Sequence, residues 1–152
     1  SAICYNQFMN PNQIERYSFL WSEVRLVIAA VALLLGGVPV LRFILPVPAL
    51  YGLVGGVLTL SWIVSGAASL YLLYEWYSRG KMLFGGKATI DTVAFFVSVL
   101  SGINLGLVGL LGTNLGMSIL SNYLIFAITA LIYLVSAYHL FRRWNARGQK
   151  LF

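Results

Sequence analysis

The sequence predicts an all-α integral membrane fold: four transmembrane helices built as two tandem parallel helical hairpins, N-in/C-in. Three observations carry that expectation. Hydrophobic residues make up 60 % of the 152 positions and charged residues only 9 %, whereas a soluble globular domain carries about 25 % charged residues. Charge is confined between long gaps: Leu26 to Leu41, Phe43 to Tyr74 and Thr92 to Tyr138 contain no Asp, Glu, Lys or Arg. A nine-residue string also occurs twice, Trp76-Tyr-Ser-Arg-Gly-Lys-Met-Leu-Phe84 and Trp144-Asn-Ala-Arg-Gly-Gln-Lys-Leu-Phe152, with five identities all displaced by 68 residues.

At about 20 residues per crossing, this length holds four or at most five spans in one domain, 1–152. It divides into an N-terminal interfacial segment, 1–21, a first hairpin, 22–84, and a second, 85–152. The segment Ser1 to Trp21 has no basic stretch followed by a continuous apolar core, so it does not read as a signal peptide. Ile14, Tyr17 and Trp21 recur at helical spacing and predict a short interfacial helix before Ser22 caps the first span. The spans are expected at about 23–45, 48–76, 90–112 and 118–143. Arg42 is expected to snorkel from the far end of the first, where Pro39 kinks the helix.

Nine of the ten basic residues, Arg16, Arg25, Arg79, Lys81, Lys87, Arg142, Arg143, Arg147 and Lys150, then fall on one side and Arg42 on the other. That bias predicts cytoplasmic termini in a bacterial inner (plasma) membrane, with Arg79, Lys81, Arg142, Arg143 and Arg147 at the lipid headgroups. The net +6 is thereby an inner-surface feature facing the bilayer, with no nucleic acid as partner. Tyr71, Tyr74, Trp76, Tyr77, Tyr138, Phe141 and Trp144 form an aromatic belt at the same level.

Each copy of the repeated string is expected to be a membrane exit. Trp marks the interface, Arg faces the headgroups, Gly ends the helix, and Leu-Phe turns back against the membrane or the bundle. A duplicated hairpin would explain its recurrence. Leu35-Gly-Gly-Val-Pro-Val40 aligns more weakly with Leu100-Ser-Gly-Ile-Asn-Leu105 at an offset of 65.

Glycines mark the expected helix-packing faces: Gly52 and Gly56 in the second span, and Gly102, Gly106, Gly109 and Gly112 in the third. They predict close packing within the bundle or contacts with itself or other integral membrane proteins. The stretch Ile90 to Leu115 carries Asp91, then Gly102-x-Asn104-x-Gly106-Leu-Val-Gly-Leu110, then Gly112-x-Asn114-Leu115. In this it resembles a family of small two-helix bacterial membrane proteins of unknown function. The resemblance covers helices 3 and 4, about 60 residues. Where that family has Trp after the mid-helix Asn, this chain has Leu105. The resemblance implies no activity.

Asn104 is the buried polar residue of greatest interest, as an interhelical hydrogen-bonding group or a ligand contact. His139 is a candidate ligand contact, or a histidine packed among Tyr71, Tyr74 and Trp144. One Cys, one His and four carboxylates build no metal cluster, and Cys4 has no disulfide partner. No nucleophile–base pair, phosphate loop or dinucleotide fingerprint occurs. The expected function is a non-catalytic membrane subunit or scaffold without a cofactor, packing into a homo-oligomer or larger complex. The alternatives are a small oligomeric channel or transporter, and a pigment- or quinone-binding accessory subunit.

Overall fold

A computed structural model describes residues 11–119 and 121–152. Cys4 and the first ten residues of the predicted interfacial segment lie outside them. Six α-helices follow in order: α1 Pro11–Leu34, α2 Val40–Ile44, α3 Tyr51–Ser78, α4 Thr89–Leu111, α5 Leu115–Ile119 and α6 Tyr123–Ala146, with a 3₁₀ turn at Pro48–Leu50. Four of these helical stretches, Asn12–Leu34, Pro48–Ser78, Thr89–Leu111 and Tyr123–Ala146, are long and apolar enough to cross a membrane. No strand occurs among the described residues.

α1 differs most from expectation. No Gly or Pro interrupts Asn12 to Leu34, so the helix runs unbroken through Ser22. Ser22 is therefore no cap; its hydroxyl is buried and without a hydrogen-bond partner. The helix stops at Leu34 because Gly36 and Gly37 take φ of +83° and +87°. Gly37 N–H donates to the Ala32 carbonyl at 2.8 Å and Gly36 N–H to Leu33 at 3.0 Å, the paired bonds of a Schellman C-cap. Arg42 consequently lies on the separate helix α2, and the Gly36–Gly37 pair, not Pro39, breaks the first span.

The successive long helices alternate in direction. Glu15 near the start of α1 reaches Arg79 beyond α3, while Asp91 at the start of α4 reaches Arg143 at the end of α6. At the opposite end, the Tyr123 hydroxyl donates to the Leu34 carbonyl at 3.1 Å. The closest packing joins α3 to α4 and α1 to α6, so it runs between the two sequence-defined hairpins more than within them.

Gly66 and Gly106 set the α3–α4 approach. A Cβ added to Gly66 would lie 2.7 Å from Gly106 Cα, and one on Gly106 would lie 2.8 Å from Gly66 Cα, closer than real Cβ atoms come. Gly109 packs on Ile63 and the Thr59 carbonyl, and Gly102 on Ser69. These glycines of α4 are thus consumed inside the chain. Gly112 instead has φ +69° and caps α4.

The core fills one end of the bundle. Phe19, Leu72, Phe95, Val99, Leu140 and Trp144 pack there with Leu83, Phe84 and Leu151 from the two repeated strings.

Candidate functional site

The two strings fold alike because their Arg-Gly pairs end helices in the same way. Lys81 N–H donates to the Trp76 carbonyl at 2.8 Å, and Gln149 N–H to Trp144 at 2.9 Å. Gly80 and Gly148 take left-handed φ of +79° and +65° at these helix ends, and Lys81 and Gln149 follow at +61° and +64°. Each cap turns its Leu-Phe back onto the bundle, where Leu83 and Leu151 are 1 % and 0 % exposed. The tails also bond to each other, Phe84 N–H donating to the Leu151 carbonyl at 2.8 Å.

Charged residues lock this closed end. Asp91, 2 % exposed, accepts from Arg143 Nη2 at 2.9 Å and Nε at 3.2 Å through Oδ2, while His139 Nε2 lies 2.6 Å from Oδ1. His139 was expected as a free ligand contact or among aromatic rings; its Nε2 is engaged by a carboxylate 48 residues away. Arg79 donates to Glu75 at 2.7 Å and lies 3.8 Å from Glu15, whose Oε1 accepts the Leu151 N–H at 3.2 Å. The Arg79 guanidinium also stands over the Phe152 ring, 5.6 Å from its centroid, and Arg143 stands over Phe84 at 5.4 Å. Arg79 and Arg143, placed by sequence at the headgroups, hence make protein contacts. Lys81 stands over Tyr77, and Arg142 and Arg147 are exposed.

Halfway along the helices lies a polar layer that the sequence reading missed. Arg25, expected at the end of the first span, is 7 % exposed near the midpoint of α1. Its Nη2 donates to the Ser98 carbonyl at 2.8 Å and its Nη1 to Ser101 Oγ at 3.0 Å; Nε has no partner. The Trp21 indole N–H donates to Ser65 Oγ at 2.9 Å, which in turn donates to the Ser61 carbonyl at 2.6 Å. Thr59 and Ser61 likewise bond back to their own helix, but buried Ser69 Oγ has no partner.

Glu23 is buried as well, 6 % exposed, with both carboxylate oxygens unpartnered. Two residues apart on a helix means about 200° of rotation, so Glu23 and Arg25 make no contact ion pair, although both are buried and each acts on the other's charge through space. Among the described residues, which include all four acidic side chains, no carboxylate comes within 4.0 Å of the Arg25 guanidinium.

Above this layer, toward the Gly36 and Gly112 turns, the helices separate around a cavity of about 580 Å³. Arg25, Ser65 and Ser101 lie at its polar base; Ile28, Trp62, Phe126 and Tyr133 contribute to its walls. None of the buried core residues at the closed end lines it, so the cavity is blind in that direction. Asn104 also borders it, with its amide used structurally. Asn104 Nδ2 donates to Asn114 Oδ1 at 3.0 Å, and its Oδ1 accepts the Gly116 N–H at 3.3 Å, pinning α5 to α4.

Gly52 and Gly56 contrast with the α4 glycines. Both are exposed on α3, and a Cβ on either would meet nothing within 4 Å. Among the described residues, no group of three or more His, Cys, Asp and Glu side chains could hold a metal ion. No protein family, curated protein or solved structure matches this chain.

Proposed function

We propose that this chain is a non-catalytic integral membrane subunit that associates, as a homo-oligomer or within a larger complex, through the lipid-facing surface of α3. The observation that carries the proposal is the open Gly52-x-x-x-Gly56 pair. In lipid, helices associate where small residues let backbones come close, and these two glycines have no neighbour within the chain. Gly102, Gly106 and Gly109 are already occupied by α3, which leaves α3 as the glycine face available to a partner.

The orientation we propose places both termini and the closed end at the cytoplasmic face of a bacterial inner membrane. With Arg25 inside the bundle, eight basic residues remain on that side against Arg42 on the other, a bias that supports the assignment. Tandem duplication of a hairpin, and kinship of its second half with small two-helix membrane proteins, belong to the same proposal. Its support is the repeated string, which ends α3 and α6 with the same cap.

The test is the size of the particle extracted with its surrounding lipids. The wild type is expected to be larger than one chain, and the Gly52→Leu/Gly56→Leu double variant to keep its helicity but fall to a monomer. A monomeric wild type, or an assembly unchanged in the double variant, overturns the proposal.

A further inference from the structure

A buried guanidinium without a counter-charge is expensive in a membrane-embedded bundle. Arg25 satisfies Nη1 and Nη2 with serine oxygens but leaves Nε without a partner, and buried Glu23, two residues away, acts on its charge through space without touching it. The other charged clusters of the closed end are internally matched: Asp91 with Arg143 and His139, and Glu15 and Glu75 with Arg79. Arg25 is the one charged side chain among the described residues lining the 580 Å³ cavity, whose walls are mainly aliphatic and aromatic. Its volume, about 580 Å³, lies in the range of small-molecule sites, about 300–1,000 Å³.

We infer that the cavity binds a lipid-soluble monocarboxylate, whose carboxylate docks on Arg25 and whose apolar body lies against Ile28, Trp62 and Phe126. A carboxylate supplies the contact acceptor that Glu23 does not, and takes charge-assisted hydrogen bonds from a guanidinium. A single apolar chain suits a cavity that is closed toward the packed core and carries its one charged group at its base. The inference does not depend on self-association.

Trp21 and Trp62 both line the cavity and make occupancy readable. The full chain in phosphatidylcholine nanodiscs is titrated with 9,10-dibromostearate, or with its methyl ester, and tryptophan quenching is followed. The acid is expected to quench saturably and the ester to require at least about tenfold more, roughly 1.4 kcal/mol of discrimination. Ser61→Phe, which fills the cavity and leaves Arg25 in place, should abolish the saturable phase, and Arg25→Gln should erase the acid–ester difference. Equal quenching by acid and ester, quenching that only tracks bilayer content, or displacement by neutral decylubiquinone at equal concentration overturns the inference. The wild-type contrast and Ser61→Phe decide the matter even where Arg25→Gln does not fold.

Discussion

The Phe84 N–H donates to the Leu151 carbonyl at 2.8 Å, joining the ends of two strings that lie 68 residues apart in sequence. Their leucines are buried in one core, so they are expected to act together. Leu83→Ala and Leu151→Ala should each cost about 2–5 kcal/mol. The double variant should depart from additivity by about 0.5–3 kcal/mol, as residues sharing a cavity do. Denaturant titration in detergent measures both; additive losses would mean that the tails dock independently.

Glycines of the same spacing should respond oppositely. Gly106→Ala places a Cβ against Gly66 Cα and is expected to destabilise by about 1–3 kcal/mol. In the dissociated single chain, Gly56→Ala meets nothing and should be neutral or stabilise by up to about 1 kcal/mol. Thermal unfolding of the two variants checks the contrast. Gly106 variants accordingly report on the fold of one chain and not on assembly.

Asp91→Ala should destabilise by about 1–3 kcal/mol, because it removes the buried acceptor shared by Arg143 and His139, while the Arg143 it leaves is 40 % exposed and can be hydrated. Arg143→Ala should cost less, since His139 still faces Asp91. If the two losses were equal, the histidine would contribute nothing to holding Asp91. Equilibrium unfolding at fixed pH separates these outcomes.

Asn104→Leu removes two hydrogen bonds that hold the α4–α6 connection, each worth about 0.5–1.5 kcal/mol. Backbone amides of α5, Leu115–Ile119, should exchange faster while those of α3 keep their protection. Hydrogen exchange with mass spectrometry reads this directly.

The four apolar helices were legible because charge and hydropathy are properties of single residues, and the ends of α3 and α6 because Arg-Gly followed by Leu-Phe is a local signal. Asp91–His139–Arg143 and Arg25–Ser98–Ser101 were not. Their partners are 48 to 76 residues apart, and an arginine beside a span is written the same way whether it snorkels or turns inward. Spacing alone likewise could not separate Gly52 and Gly56, open on α3, from Gly102 and Gly106, closed against it. The early start of α1 was missed because the charges of Arg16, Glu23 and Arg25 resemble an interface, although three of the segment's charged groups, Glu15, Glu23 and Arg25, are buried against the bundle.

The interior position of Arg25 is tested most directly by a nitroxide label at Val24, the adjacent residue, which is exposed on α1 at the rim of the cavity. The label is placed on Val24→Cys in a Cys4→Ser background, and its relaxation by oxygen is compared with that by a water-soluble nickel chelate in nanodiscs. High accessibility to oxygen with little to nickel is expected, because Arg25 then lies at mid-membrane depth and turns into the bundle. Strong relaxation by nickel with weak relaxation by oxygen would put this turn of α1 at the headgroups and contradict the buried polar layer.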